Sequence, residues 1–278
     1  MYRGVQLAVL GWAVAAIVMV ILWVIGRRLR NYGVVDVGWT YLVAGLAVLF
    51  AVTGPLVAMS GRQWLIAAMF TTWGLRLGTY LLVDRVIGRP EDGRYATLRE
   101  SWSRAPAGPA GAAAADRRFF WFFQAQALAA VFFALPALFP ALHTAAAIAP
   151  LEWAGVALWA LAVLGESAAD WQLTRFKQRA GTRGRTCRDG LWRYSRHPNY
   201  FFEWLVWVAY ALFASASPFG LIAVACPAVM LYLLFNVTGI PATEAQAVLS
   251  RGDDYRDYQA TTSAFVPWFP RRRPAVSP

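Results

Sequence analysis

The feature that most constrains this chain is a series of long apolar runs. An α-helix needs about 20 predominantly apolar residues to cross the hydrocarbon core of a bilayer. The first run is too long for the apolar core of a signal peptide and lacks a small-residue cleavage pattern, so we expect it to be retained. We therefore predict an all-α integral membrane protein, a single membrane domain over residues 1–278 with seven transmembrane helices. The predicted spans are Val5–Ile25, Val34–Val52, Trp64–Val83, Phe119–Phe139, Leu151–Ala168, Tyr200–Ala216 and Phe219–Phe235.

The distribution of basic residues predicts how these spans are oriented. The net charge is +11 although only 15% of the residues are charged. The predicted loops place 23 of the 26 basic residues on one side and two on the other, with Arg76 inside the third span. By the positive-inside rule, the N-terminus is outside and the C-terminus is in the cytoplasm. This excess is explained by topology and attraction to anionic membrane lipids, or by a polyanionic ligand on the cytoplasmic side; nucleic-acid binding is not expected of so apolar a chain.

The predicted inner segments are long and the outer loops are short. The inner segment from Asp84 to Arg118 contains a predicted short helix from Arg94 to Trp102 and an Ala/Gly/Pro linker from Ala105 to Ala115. We therefore expect function on the cytoplasmic side.

Ionisable residues inside the spans are candidates for function because they are costly in a bilayer. The topology places Asp36 at the cytoplasmic end of span 2. Glu166 and Asp170, spaced i, i+4, share one face at the cytoplasmic end of span 5. Polar residues from five spans thus reach one depth, which predicts a cavity open to the cytoplasm; the alternative is that helix ends are polar anyway. The remaining members are Asp84, Gln124, Gln126 and Glu203.

The densest polar cluster is the segment Gly190–Trp204. Pro198 suits the first turn of a helix, and Ser195 or Arg196 suits its cap. Arg196, Asn199 and Glu203 then lie on one helical face and form a polar binding stripe. Arginines at a helix N-terminus also suit a phosphate group. The alternative is a structural cap with an Arg side chain that reaches the interface.

Several chemistries are excluded by missing residues. The chain has two cysteines and two histidines, and their spacing gives no metal-binding cluster, so we predict no metal. No G-x-G-x-x-G motif follows a strand, and no serine nucleophile elbow is present. A nucleotide would therefore bind among helices and arginine-rich loops.

The segment Gly190–Trp204 resembles the C-terminal domain of steroid 5α-reductases. It is similar also to sterol reductases and isoprenylcysteine carboxyl methyltransferases, which share its Arg-His-Pro element. Other segments look like a bacterial branch of unassigned membrane proteins in this superfamily, so that the resemblance covers nearly the whole chain. It implies seven spans, NADPH bound on the cytoplasmic side and, for a bacterial protein, the inner membrane. These segments are Val35–Trp39, Trp73–Leu77, Thr238–Glu244, Gly252–Tyr258 and Ser263–Pro270.

The resemblance also implies roles for individual residues. Asn199 and Glu203 match cofactor-binding positions of the family, as does Asp170, and Glu166 stands where the family has Asn. Residues 151–270 are expected to bind mainly cofactor, and spans 1–4 mainly substrate. Asp36 is the nearest acid to the family's carbonyl-polarising Glu, and Trp73 or Tyr80 is the candidate for its Tyr partner. The other candidate cofactor residues are Arg185, Tyr194, Arg196, His197, Asn236, Glu244, Tyr255 and Tyr258.

The expected function is NADPH-dependent reduction of the Δ4 double bond of a 3-oxo steroid or similar lipid enone. Asp36, held protonated by burial, would donate a hydrogen bond to the carbonyl oxygen, aided by Tyr80. Arginines between spans 5 and 6 would select the 2′-phosphate. The alternatives are a methyltransferase that uses S-adenosylmethionine and a non-enzymatic lipid-binding or scaffold protein.

Overall fold

The computed structural model describes residues 2–53, 59–104, 108–145, 147–182, 184–237 and 239–271. Within these ranges the chain is built from helices and has no β-strand beyond one isolated bridge, so the all-α prediction is confirmed. The chain divides into two compact units. The first unit comprises residues 1–152 and 213–223, and the second comprises residues 153–212 and 224–278.

The first unit is organised around α2, which packs against α1, α3 and α5. Close approach of α2 and α3 depends on Gly74, since a Cβ added there would lie 2.4 Å from the Cβ of Ala44. Small residues allow helix backbones to pack closely in membranes. The helices of this unit are α1 (Tyr2–Leu29), α2 (Val34–Val52), α3 (Gly61–Leu81) with a π-helical extension (Leu82–Val86), α4 (Gly93–Ser103), α5 (Pro109–Ala134) and α6 (Leu138–Leu142).

The second unit joins two long helices to a short helical pair. Trp159 of α7 donates a hydrogen bond to the Tyr210 hydroxyl of α8 over 3.2 Å. Helices α10 and α11 enclose a small core of Ala247, Tyr255 and Tyr258. The helices that lie mainly in this unit are α7 (Pro150–Gln178), α8 (Pro198–Ser215), α9 (Ala225–Asn236), α10 (Ile240–Arg251) and α11 (Asp253–Thr261).

Six helical stretches of the described residues are long and apolar enough to cross a membrane, which supports a membrane protein. On α1, apolar side chains such as Ile17 are exposed (63%), as a lipid-facing surface requires. The predicted sixth span forms the helix α8, but it is not among these six. The six are Gly4–Leu29, Val34–Val52, Gly61–Val86, Pro109–Leu142, Pro150–Gln178 and Gly220–Arg251.

Two boundaries differ from the sequence prediction. The predicted linker is helical from Pro109 onward, because proline is tolerated at the first helical position and the alanines that follow strongly favour a helix. Helix α7 runs ten residues beyond the predicted end of its span, to Gln178. Its last turns are stabilised by Arg175 over the Trp171 ring, 5.2 Å from the centroid. The acids of α7 therefore lie within the helix and not at its end.

The predicted helix from Arg94 to Trp102 is confirmed as α4. Its N-cap is Asp92, whose carboxylate accepts a hydrogen bond from the Arg94 main-chain nitrogen at 2.9 Å. This cap satisfies one of the free N–H groups of the first turn.

Candidate functional site

The segment that leads into α8 is tightly anchored within the second unit. Ser195 is fully buried; its hydroxyl donates to the Phe265 carbonyl at 2.7 Å and accepts from the His197 nitrogen at 3.1 Å. The Tyr258 hydroxyl donates to the carbonyls of Trp192 and Ser195. The chain from Trp192 to His197 therefore forms a fixed platform in front of the helix.

Arg196 and Glu244 form the centre of a polar cluster on this platform. The Arg196 Nε donates to Glu244 at 2.7 Å, and its Nη1 donates to the carbonyls of Gln259 and Thr262 at 2.8 and 2.9 Å. The other Glu244 oxygen accepts from the Gln259 amide at 2.8 Å. The guanidinium is thus held in one orientation by a carboxylate and two carbonyl groups.

His197 joins this cluster from the other side. Its Nε2 lies 3.2 Å from the Glu244 carboxylate, and its ring stacks on Tyr200 with centroids 5.2 Å apart. Burial lowers the pKa of His197 and outweighs the opposing effect of Glu244. The imidazole is therefore neutral at physiological pH.

A second group of polar residues connects α7 to α8. The Asn199 side-chain amide donates to Asp170 at 3.2 Å, and both Asp170 and Glu166 are buried. The helices approach closely at Gly165, where an added Cβ would meet the Phe202 ring at 2.4 Å. Glu203, one turn further along α8, accepts a hydrogen bond from Trp207 at 2.9 Å. Buried acids inside apolar helices are candidates for ligand binding.

The second unit therefore unites some of the predicted cofactor residues and separates others. Asn199 and Asp170 are in direct contact, as are Arg196, His197 and Glu244. The Arg185 side chain is exposed, and the exposed Asn236 amide donates to the Tyr232 carbonyl one turn back in α9.

Three predicted cofactor residues are tyrosines with structural contacts. Tyr194 packs edge-on against Phe269. Tyr255 and Tyr258 are buried between α10 and α11, and burial raises the pKa of both. For Tyr258 the structure gives the hydroxyl a role that needs no ligand, since it anchors the platform.

The first unit has a separate polar cluster around Asp36, at the start of α2. The carboxylate accepts hydrogen bonds from Arg85 at 2.8 Å, from Arg94 at 2.9 Å and from the Tyr95 hydroxyl at 2.6 Å. Asp36 retains 21% side-chain exposure, and each arginine retains 25%. The cluster is partly open.

The sequence around this cluster explains its geometry. The π-helical turns Leu82–Val86 widen the end of α3 next to Arg85, and such turns are frequent at functional sites. Asp92 caps α4 and also pairs with Arg94 at 3.1 Å, and these contacts lower the pKa of Asp92 although burial acts in the opposite direction. Burial, reinforced by the Asp36 charge, raises the pKa of Tyr95, so the phenol keeps its proton.

These contacts show where the structure places the predicted substrate-side residues. The Asp36 carboxyl group contacts two guanidinium groups and the Tyr95 hydroxyl, partners that the sequence did not predict. The Thr40 hydroxyl, one turn further along α2, donates a hydrogen bond to the Asp36 main-chain carbonyl at 2.9 Å. Trp73 is instead fully buried in the core, where it packs against Phe70, and Tyr80 lies under Arg76.

The sequence did not predict the contact of Tyr95 with Asp36, because the expected tyrosine partner lay in span 3. The signal that was available is its place in the first turn of a helix that follows the Asp92 cap. The predicted common cavity combines residues of both units, and it stays a prediction.

The fold is that of a helical membrane protein, with the partly open Asp36 cluster in the first unit and the cluster of Arg196, His197 and Glu244, beside the linked Asn199 and Asp170, in the second. The chain belongs to the family described as "Protein of unknown function (DUF1295)", whose model matches residues 22–262 and so includes both clusters. No curated protein and no solved structure matches the chain.

Proposed function

We propose that the protein is an NADPH-dependent membrane reductase that saturates the conjugated double bond of a lipid enone, such as a Δ4-3-oxo steroid. The observation that carries this proposal is the hydrogen bond between Asn199 and Asp170. Both positions match cofactor-binding residues in the resemblance to steroid 5α-reductases, although they are 29 residues apart in the chain. Their contact is what a common ligand for the two helices requires.

The proposed topology has seven spans, with α8 as the additional one, an outside N-terminus and a cytoplasmic C-terminus. Helix α8, with 18 residues, is shorter than the six other candidates, but its Trp207, Tyr210 and Phe213 are fully buried. A span that is enclosed by other helices needs less apolar surface than one that faces lipid. The arginine asymmetry supports the orientation.

The residues of the second unit fit a phosphorylated dinucleotide in their chemistry. Asp170 and Glu166 offer carboxylate acceptors for ribose hydroxyls, and Asn199 offers both an amide donor and an acceptor. Arg196, fixed by Glu244, offers a positive charge for a phosphate group. When bound, NADPH supplies the hydride for the β carbon of the enone. The protein's own residues bind and orient it.

The Tyr95 and Asp36 pair is the proposed element that polarises the substrate carbonyl. Tyr95 keeps its phenolic proton, so it is a hydrogen-bond donor at physiological pH. Its donation can pass from Asp36 to a carbonyl oxygen because Asp36 remains paired with Arg85 and Arg94. A donor placed at a developing enolate oxygen lowers the barrier by electrostatic stabilisation.

Cofactor identity is tested by thermal-shift titration of the full-length protein in nanodiscs with NADPH and with S-adenosylmethionine. We expect stabilisation by NADPH, and a loss of it in Asn199→Ala because the link to Asp170 is removed. Gln246→Ala, an exposed amide on α10, is the matched control and should titrate like the wild type. Stabilisation by S-adenosylmethionine alone would instead identify the methyltransferase alternative, and stabilisation by neither would favour a lipid-binding protein.

A further inference from the structure

A cavity of about 380 Å³ lies within the second unit, between α11 and the segment that follows it. Its size is within the range of small-molecule sites. The residues that matter for its chemistry are Arg196, Gln259, Thr262, Trp268, Phe269 and Arg271.

The cavity lining is positively charged and contains no acidic residue. Arg196 uses its Nε and Nη1 to contact Glu244 and two carbonyl groups, and its Nη2 makes no hydrogen bond to any described residue. The Arg271 guanidinium likewise has no partner in the part of the chain that the structure describes, although its main-chain nitrogen donates to the Thr261 carbonyl at 2.8 Å. Two arginines with free donors at one cavity suit an anionic ligand, and a phosphate group in particular.

The aromatic residues of the cavity lie on a main chain that is held in place, and Phe269 packs edge-on against Tyr194. The Trp268 nitrogen donates to the Tyr194 carbonyl at 2.9 Å, so the tail is fixed through its main chain. The side chains of Trp268 and Phe269 nevertheless remain 69% and 76% exposed. Aromatic side chains on a fixed segment beside arginines are suited to stack with a flat heterocycle that carries a phosphate.

We infer that this cavity binds the 2′-phosphoadenosine end of the cofactor, with the adenine on Trp268 and Phe269 and the 2′-phosphate on Arg271 and the Arg196 Nη2. This inference rests on the proposed function. It moves phosphate selection from the loop between α7 and α8, where Arg185 lies exposed, to the segment after α11. The buried acids of α7 are then left for the uncharged part of the dinucleotide.

The test measures dissociation constants of full-length protein in nanodiscs for NADPH, NADH and 2′,5′-ADP. Arg271→Gln is expected to raise the dissociation constants of NADPH and 2′,5′-ADP at least tenfold and to leave that of NADH nearly unchanged, because only the first two carry the 2′-phosphate. Trp268→Ala should weaken all three ligands about fivefold or more, and Trp268→Phe should restore most of the affinity. The charge-matched control is Arg256→Gln, an exposed arginine of α11 outside the cavity that pairs with Asp253.

The outcomes separate this inference from the proposed function. If Arg271→Gln and wild type bind NADPH equally well, or if the variant weakens NADPH and NADH alike, the cavity does not select the 2′-phosphate, and the reductase proposal still stands. If the wild type binds none of the three ligands, the proposed function itself fails and this inference fails with it. If the wild type binds 2′,5′-ADP only in nanodiscs that lack anionic lipid, a phospholipid headgroup occupies the cavity in the membrane. That result would overturn the assignment.

Discussion

The two ends of the α2–α3 pair use the same ingredients for different purposes. At the start of α3, Arg62 and Glu152 form a two-point ion pair at 2.7 and 3.1 Å, and their side chains are 1% and 0% exposed. Arg62 also donates to the carbonyls of Ala145 and Ala147. At the opposite end, Asp36 faces two arginines and a tyrosine and remains partly exposed.

This difference separates a structural ion pair from one that can do chemistry. Every charged atom of the Arg62 and Glu152 pair is satisfied and sealed from solvent, so no donor is left for a ligand. At the Asp36 cluster the carboxylate contacts two guanidinium groups and a phenol. The phenol can therefore turn its hydrogen bond to a ligand while the two ion pairs of the carboxylate stay in place. A close approach of opposite charges is therefore not evidence of function by itself. The pair must also be accessible to a ligand.

The largest expected effect comes from breaking the sealed pair. Glu152→Gln leaves the Arg62 guanidinium buried without a counter-charge, and such changes cost about 3–5 kcal/mol. Denaturant unfolding in mixed micelles should show this loss. The double variant Arg62→Met/Glu152→Leu should recover much of it, since the uncompensated charge is then removed; a double variant no more stable than Glu152→Gln would contradict the account.

Tyr95→Phe breaks the open cluster without breaking the fold. Removal of the donor should lower the enone reduction rate about 10²–10³-fold, as removal of an oxyanion donor does in other enzymes. Initial rates of NADPH consumption measure this. The melting temperature should change little, because Asp36 keeps both arginines. Tyr80→Phe is the comparison variant that distinguishes the two tyrosines: equal losses in both would return the role to α3.

Asp36→Asn sharpens the same comparison. It removes the charge that faces Arg85 and Arg94 but keeps a side chain of the same shape, so the folded protein should lose about 1–3 kcal/mol, less than at the sealed pair. The enone reduction rate of Asp36→Asn should fall about as much as that of Tyr95→Phe. If Asp36→Asn were as destabilising as Glu152→Gln, the cluster would be chiefly structural.

A smaller effect is expected from the titration of His197 in the second unit. Burial lowers its folded-state pKa below the ordinary 6.5. The unfolded chain therefore binds the proton more readily, and stability should fall as the pH drops from 6.5 toward the lower folded-state value. His197→Gln should flatten this part of the stability–pH curve, measured by chemical denaturation between pH 7.5 and about 5. An unchanged slope would mean that other groups dominate it.

The smallest effect is expected at the exposed pair of Glu100 and Arg104, whose side chains are 70% and 72% exposed. Solvent screens such a pair, so Glu100→Gln should change the free energy of unfolding by less than about 0.5 kcal/mol. It serves as the reference against which the sealed pair is measured.

The sequence predicted the helical class and most helix positions because long apolar runs have few other solutions. Its errors came from residues with helical propensity outside the apolar runs. Polar residues extend α7 past the apolar stretch, and alanines make the Pro109–Ala115 segment helical. The sequence singled out Asn199 and Asp170 separately and did not predict the hydrogen bond between them. Spacing within one helix predicts a common face, but it cannot show which side chain of another helix lies opposite.

The Asp36 cluster shows the same limit. Its acid was predicted from a charge at the start of an apolar run, yet its partners Arg94 and Tyr95 come from α4, about 60 residues further along the chain. Only the folded chain brings a loop helix against the start of α2.

The most direct test of the proposed reductase follows deuterium from NADPH labelled at both C4 positions. Purified protein in nanodiscs is incubated with the labelled cofactor and a Δ4-3-oxo steroid, and the product is analysed by mass spectrometry and NMR. The account predicts a saturated ketone with one deuterium at the former β carbon, and little such product from Asn199→Ala or Tyr95→Phe. A wild-type protein that binds NADPH but yields no deuterated product from any conjugated enone tested would contradict it.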